Sequence, residues 1–97
     1  MIYHVASNTE WERQKTSGFF EAASLQTEGF IHTSRKEQIP GVLERYYSEA
    51  KDIILLHIDE TKLTSALKEE LAPSVNEFFP HIYGPLNVDA VIKTERI

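Results

Sequence analysis

The length, composition and charge of this chain exclude several classes of protein. Its 97 residues, 41% apolar and 26% charged, suit one soluble domain, which we expect to span residues 1–97. The absence of cysteine excludes disulfides, zinc–thiolate sites and thiol nucleophiles, and a small domain without disulfides favours the cytoplasm. The net charge of −5 argues against a nucleic-acid-binding surface, and no apolar stretch is long enough to cross a membrane.

The first part of the chain predicts a strand, a helix and a turn. Residues 2–6 form a short β-type run. Thr9 and Glu12 have the spacing of a capping box, so a helix should begin at Thr9, and Gly18 is suited to end it. Two smaller expected features follow, a brief strand at 19–22 and a turn or single helical turn at 24–29.

The rest of the chain predicts one more helix among several strands. Pro40 fits the first turn of a helix, so we expect a turn at 35–38 and a helix at 40–49. Residues 63–72 fit either a helix or a short strand near 67–71. The other expected elements are strands at 30–33, 53–58 and 88–93 and an aromatic, turn-rich region at 78–85. This order predicts an α+β fold, a single compact domain with five to six short strands and two main helices.

Three of the four histidines are candidate functional residues. His4, His32 and His81 lie in or beside strand-like runs rich in aromatic residues, whereas His57 lies in the most aliphatic strand and is the weakest candidate. An imidazole can act as a general acid or base, a phosphate donor or a metal ligand at neutral pH. The spacing lacks the H-x-H, H-E-x-x-H and i, i+4 pairs typical of zinc or iron sites, so no metal site is predicted.

Hydroxyl and carboxylate groups near these histidines are further candidates. Ser24, Thr33 and Ser34 offer hydroxyls near His32, although Ser34 also fits a helix N-cap. Tyr83 follows His81 by two residues, so both side chains would face the same side of a strand. The carboxylates available as a general base are Glu69, Glu70 and Glu77.

Two sequence blocks resemble DUF952, a family of small bacterial proteins of unknown function. They are E-G-F-I-H-T-S at 28–34 and F-P-H-I-Y-G-P-L at 79–86. The resemblance extends over nearly the whole chain, from about residue 2 to residue 93, through the further matches at Ile2–Ala6, Trp11-Glu12, Ser24-Leu25, Gln38, Ile58-Asp59, Leu63 and Glu70.

Members of DUF952 are similar in fold to ADP-ribosyltransferases, so the resemblance implies an ADP-ribosyltransferase-like domain. Tyr3-His4 resembles the transferase Tyr-His pair, whose histidine holds the nicotinamide ribose of NAD. Residues 29–32 resemble the segment whose aromatic residue stacks on nicotinamide, but Ile31 or His32 stands at that place. No glutamate matches the catalytic glutamate of the transferases cleanly.

This resemblance implies a protein that binds NAD or a related nucleotide in a histidine-lined cleft, with glycosyl or ADP-ribosyl transfer as its reaction. The expected catalytic residues are His4, to hold ribose, and His81 and Tyr83, to act as acid or base or to position the second substrate. The expected substrate-binding residues are Ser24, His32, Thr33, Ser34 and Glu70. NAD is a candidate substrate, and no other cofactor or protein partner is implied. The alternatives are a non-catalytic module for a small anionic metabolite and a protein-interaction domain.

Overall fold

Eight strands and three α-helices follow one another along the chain in a computed structural model that describes residues 1–97. The strands are β1 (Ile2–Ser7), β2 (Phe19–Phe20), β3 (Ile31–His32), β4 (Ile53–Ile58), β5 (Ala66–Ala72), β6 (Glu77–Tyr83), β7 (Leu86–Asn87) and β8 (Val91–Arg96). The helices are α1 (Asn8–Gln14), α2 (Ala23–Thr27) and α3 (Ile39–Tyr46). Short 3₁₀ turns occupy Lys15–Ser17, Lys36–Gln38, Glu60–Lys62 and Val88–Ala90.

The strands form three small antiparallel sheets. Their strand orders are β1–β4–β8, β3–β6–β5 and the pair β2–β7. A β-bridge between Tyr3 and Ser34 joins the first sheet to the second, with each backbone N–H donating to the other residue's carbonyl at 2.9 and 2.8 Å. The bridge sets the start of β1 against the end of β3, and it therefore brings His4 close to His32.

One apolar core lies among the three sheets and α1. Ile2, Ile31, Leu56 and Ile82 are fully buried, and burial of each such side chain stabilises the fold by roughly 1.5–3 kcal/mol. Alternation along β1 explains why its residues 2, 4 and 6 are buried while residues 3 and 5 are half-buried. Trp11 anchors α1 by packing on Phe20, with 5.8 Å between the ring centroids.

The α+β class and the compact single domain are confirmed, but the number of elements exceeds the five to six strands and two helices expected. The strand β2 lies within the brief strand expected at 19–22, and β5 contains the short strand expected as one alternative near 67–71, so the additional strands are β6 and β7. The strand β7 has only two residues and pairs only with β2, so no periodic pattern predicts it. The additional helix α2 has five residues and corresponds to the turn or single helical turn expected at 24–29. Helix α3 begins at Ile39 with Pro40 in its first turn, as expected, and ends at Tyr46 rather than at residue 49.

Two expected helix caps differ in the structure. Ser7, not Thr9, caps α1: its Oγ accepts from the N–H of Glu10 at 3.2 Å, and the Thr9 hydroxyl instead donates to Asp52 at 2.7 Å. Ser34 is not an N-cap, because its backbone pairs with Tyr3 in the β-bridge.

The prediction of a turn-rich region at 78–85 is wrong for most of its length, because Glu77–Tyr83 is a strand paired with all of β5. Pro80 is tolerated there for a local reason. Its carbonyl accepts from the Thr33 N–H at 3.2 Å and from the Thr33 hydroxyl at 2.6 Å. The N and C=O of a strand residue point the same way, so the missing N–H of Pro80 faces the end of β3, where no ladder bond is required. None of the three helices has the length or the apolar character needed to cross a membrane.

Candidate functional site

A broad open cleft of about 1220 Å³ is bordered by β1, the β3–β6 pair and all three helices. Its volume exceeds the roughly 300–1,000 Å³ of typical small-molecule sites, which leaves room for a nucleotide. Six of the sequence-predicted site residues line this cleft, namely His4, Ser24, His32, Thr33, Ser34 and His81. Glu70 and Tyr83 do not line it and lie beside His81 instead.

His4 is held in one protonation state. It is 7% exposed, and its Nδ1 lies 2.6 Å from the backbone carbonyl oxygen of His32. A carbonyl can only accept, so Nδ1 carries the proton and Nε2 carries the lone pair. Burial lowers the pKa of His4 to about 4, against the hydrogen bond to His32, which raises it. At neutral pH the ring is therefore uncharged and Nε2 is a hydrogen-bond acceptor.

Two polar groups reach the cleft without a partner in the chain. Nε2 of His4 and Oγ of Ser34 form no hydrogen bond, although both residues are only 7% exposed. Every fully enclosed side-chain nitrogen and oxygen of the protein has a hydrogen-bond partner. Because these two atoms have none, they must be open to the cleft that their residues line. A polar atom that opens to a cleft and has unused hydrogen-bonding capacity is available to bind a ligand.

The imidazole of His81 is fixed by three neighbours. Its Nδ1 donates to Oε1 of Glu70 at 2.8 Å, and the Tyr83 hydroxyl donates to the same oxygen at 2.5 Å. The Phe30 ring stacks on His81 with 4.1 Å between centroids and 16° between planes. His81 lines the cleft, and its Nε2 has no hydrogen-bond partner in the protein. This is the arrangement of a carboxylate-oriented histidine.

Hydrogen bonding tunes the acidity of this cluster. The bond from Tyr83, followed by that from His81, lowers the pKa of Glu70. The same Glu70 bond raises the pKa of Tyr83. Glu70 is therefore a carboxylate and Tyr83 a neutral phenol across the physiological range.

Strand register explains why these side chains meet. His32 lies opposite His81, and Glu70 lies opposite Phe79, so the residues of β6 at 79, 81 and 83 share a face with Glu70. Lys68 lies opposite His81, and its Nζ sits 4.6 Å from the centroid of the Tyr83 ring. The His32 and His81 rings meet edge to face with 5.3 Å between centroids.

The register also decides among the three candidate carboxylates. Glu69 faces the opposite side of β5 and forms an ion pair with Arg35 at 2.5 Å. Glu77 lies at the far end of β6, where it accepts from the Gln38 amide at 3.3 Å. Of these three carboxylates, only that of Glu70 touches a candidate histidine of the cleft.

Two of the expected substrate-binding hydroxyls hold the backbone. Thr33 Oγ1 donates to the Pro80 carbonyl at 2.6 Å, and Ser24 Oγ donates to the Phe30 carbonyl at 2.8 Å. The His32 ring is half-exposed and meets Glu28 Oε2 at 3.0 Å through Nε2. His57, the weakest sequence candidate, does not line the cleft and contacts Glu95 at 2.9 Å.

Sequence reasoning missed several residues of the cleft wall. Phe30 orients His81, and Glu10 and Arg13 of α1 line one side. Val42 and Tyr46 of α3 line the cleft too, although no residue of α3 is buried. The shared face of Val42 and Tyr46 is visible in the sequence, but helical spacing alone does not separate a cleft wall from a core face.

Three solved structures of one protein share this fold. The crystal structure of CC0527 from Caulobacter crescentus has 33% sequence identity and a TM-score of 0.85, covering 96% of this chain and 82% of that one. A double mutant of CC0527 gives 32% identity, a TM-score of 0.85 and the same coverage. The solution NMR structure of CC0527 gives 32% and 0.83, covering 99% of this chain and 83% of that one.

A comparison with curated proteins gives no match. The chain does match the family described as "Protein of unknown function (DUF952)" over residues 5–94. This match confirms the membership expected from the blocks around His32 and His81. The similarity to ADP-ribosyltransferases stays a prediction. Because the match covers nearly the whole chain, the protein belongs to the DUF952 family.

Proposed function

We propose that the cleft binds NAD or a related nucleotide by its ribose hydroxyls and that the protein transfers the glycosyl group. The observation that carries this proposal is the unpartnered Nε2 of the buried His4, a neutral acceptor open to the cleft. An acceptor of this kind takes a hydrogen bond from a hydroxyl or N–H group, whereas an ionised phosphate has no proton to donate. The ligand feature that fits His4 is therefore a sugar hydroxyl.

Ser34 supplies a second contact to the same sugar. Its hydroxyl both donates and accepts, and it belongs to the residue bridged to Tyr3, next to His4. Two neighbouring polar groups without a partner in the chain suit the two adjacent hydroxyls of a ribose. A site that hydrogen-bonds a hydroxyl strongly disfavours an analogue that lacks it, because the buried acceptor is then left unpaired.

His81 supports the transfer step as a general base. In the proposed reaction the bond from C1′ to the nitrogen of a pyridinium base breaks, and its electron pair leaves with the neutral base. An acceptor hydroxyl or water forms the new bond to C1′ and gives its proton to Nε2 of His81. The Glu70 carboxylate, 2.8 Å from Nδ1, stabilises the imidazolium that results.

A binding module without turnover is the second candidate. One observation favours it: Glu70 lies outside the cleft lining, so no carboxylate from β5 is available to stabilise an oxocarbenium-like state directly. A cytoplasmic location fits both candidates, because both require a nucleotide ligand.

The test is a ¹H–¹⁵N NMR titration with NAD, ADP-ribose and nicotinamide mononucleotide. Saturable shifts at His4, Ser34 and His81 are expected in the wild type. His4→Asn keeps a donor for the His32 carbonyl but removes the acceptor Nε2, and it should abolish the shifts. His57→Asn, outside the cleft, should bind as the wild type does. Absence of shifts at millimolar ligand would overturn the proposal. Where shifts are observed, an assay of nicotinamide release separates a transferase from a binding module.

A further inference from the structure

The charge of the cleft lining is unbalanced. Its ionisable residues besides histidine and tyrosine are Glu10, Arg13, Glu21 and Glu28. Glu10 and Arg13 form an ion pair at 2.5 Å and offset one another. Glu21 and Glu28 have no lysine or arginine partner, and Glu28 contacts only the ring of His32. These two carboxylates stand at the two ends of α2, on the rim of the cleft.

We propose that the part of the ligand that enters the cleft is a cationic nucleoside, and that its phosphate groups stay outside. This inference rests on the proposed function, since it names the class of nucleotide fragment that the site accepts. The acidic rim is one ground, and the second is independent of charge. His4 is more than nine-tenths buried, with an unpartnered Nε2 open to the same cleft, so it marks where a ligand hydroxyl is held.

The histidine does not cancel the negative rim. With its pKa lowered to about 4, His4 contributes no positive charge at neutral pH. A nucleoside that donates a hydroxyl to His4 therefore enters a region of net negative potential. Opposite charge on its base is favoured there, and negative charge is disfavoured.

Aromatic side chains suit a cationic ring as well. Phe30, Tyr46 and Phe79 line the cleft. A cation within about 6 Å of an aromatic centroid is attracted by the negative face of the ring. Flat apolar surfaces beside carboxylates match a planar ring that carries positive charge, such as an N-glycosidic pyridinium.

The groups that normally bind a pyrophosphate are missing from the lining. Proteins hold phosphates with arginine, lysine or exposed backbone N–H groups at the start of a long helix or a glycine-rich loop. No lysine lines this cleft, its single arginine is already paired, and α2 has only five residues. A phosphate inside the cleft would instead face Glu21 and Glu28.

The experiment compares two ribosides of the same shape and different charge. Nicotinamide riboside carries a pyridinium cation, and benzamide riboside is its neutral counterpart. Calorimetric titration at low salt should show the cation binding about fivefold more tightly, which is the upper end of the effect of one solvent-exposed ion pair. The advantage should shrink when salt is raised to about 0.5 M, because exposed charges are then screened.

Variants identify the source of the preference. Glu21→Gln combined with Glu28→Gln should remove the preference for the cation and leave the affinity for benzamide riboside unchanged. Glu44→Gln is the matched control, since Glu44 is exposed on α3 and does not line the cleft. It should keep the wild-type preference.

The contrary results distinguish failure of the cationic selection from failure of the proposed function. Equal affinity for the two ribosides, or a preference that survives the double substitution, would overturn the cationic selection and leave the proposed function standing. NAD binding more tightly than nicotinamide riboside would do the same, because its phosphates would then add affinity. No binding of either riboside or of NAD would overturn both proposals.

Discussion

The Nδ1 atom of His4 lies 2.6 Å from the carbonyl oxygen of His32, and this hydrogen bond crosses from the first sheet to the second. The same carbonyl belongs to the residue that pairs with His81, so His32 links the other two histidines that line the cleft. One ring receives its tautomer from a backbone carbonyl, and the other from a carboxylate. The rings therefore differ in their proposed roles, His4 as a neutral hydrogen-bond acceptor and His81 as a general base oriented by Glu70.

The first prediction concerns stability at acid pH. His4 has a pKa of about 4 in the folded protein and 6.5 in the unfolded chain, so the unfolded state binds more protons between these values. The free energy of unfolding must then fall as the pH falls from 7 to 5, by about 2 kcal/mol for this one group. Urea unfolding at the two pH values measures the loss.

The control for this prediction is His4→Asn, which removes the titrating group. Carboxylates such as Glu60, whose pKa is lowered by its Arg35 partner, lose their contribution only as the pH falls below about 4.5, their unfolded value. The variant should therefore show a clearly smaller loss between pH 7 and pH 5. Equal losses in the two proteins would contradict the assignment of a buried, neutral His4.

A second prediction concerns the phenol of Tyr83. Its pKa is raised because its hydroxyl donates to the Glu70 carboxylate, so Glu70→Gln should lower that pKa toward the ordinary value. An alkaline titration followed by NMR of ¹³C-labelled tyrosine resolves this residue from the other three tyrosines. Glu69→Gln, one residue away and on the other face of β5, should leave Tyr83 unchanged. A similar shift in both variants would mean that net charge, rather than this hydrogen bond, controls the phenol.

A third prediction separates two roles for Thr33. Its buried hydroxyl donates to the Pro80 carbonyl at 2.6 Å, so Thr33→Val should lower the free energy of unfolding by about 1 kcal/mol. The Pro80 carbonyl still accepts a hydrogen bond from the Thr33 backbone N–H in the variant, which limits the loss of stability. Thr33→Ser restores the hydroxyl and should recover most of the stability. Nucleotide affinity should be unchanged in both variants, and a loss of affinity without a loss of stability would instead support the substrate-binding role expected from the sequence.

The fourth prediction compares two glycines with positive φ. Gly29 has a φ of +87° and open space where a Cβ would be added, whereas at Gly84, with a φ of +150°, a Cβ would lie 2.5 Å from the Ser65 Oγ. Gly29→Ala should therefore lower the free energy of unfolding only by the cost of the left-handed backbone conformation, about 1–2 kcal/mol. Gly84→Ala should lower the free energy of unfolding by more, because the Ser65 side chain must also move. Adding Ser65→Gly should recover the extra loss relative to Gly29→Ala. Equal losses from the two single substitutions would show that Ser65 moves away at no cost.

Sequence patterns predict the elements of this fold where they are local. The aliphatic run of β4 and the place of Pro40 in the first turn of α3 both follow from short-range rules. The placement of His81 and Tyr83 on one face also follows, from the period of a strand. The two-residue strand β7 has no such signal, since only its pairing with β2 makes it a strand.

The chemistry of the site depends on long-range register, which the sequence does not display. Glu70 rather than Glu69 reaches His81 because β5 pairs with β6 in one register, and a shift of one residue would exchange the two glutamates. The tautomer of His4 depends on a backbone carbonyl, which every residue possesses and no motif can indicate. Sequence reasoning therefore identifies which residue types are available but not which of them meet.

The bridge between Tyr3 and Ser34 couples two backbone amides that are far apart in the sequence. Each N–H donates to the carbonyl of the other residue, at 2.9 and 2.8 Å, so both amides are protected from exchange with water while the bridge stays closed. The exchange rates of the two amides therefore report one event, the separation of the two sheets beside His4. A ligand held by His4 on one sheet and His81 on the other would slow both exchange rates by the same factor, whatever its chemical identity.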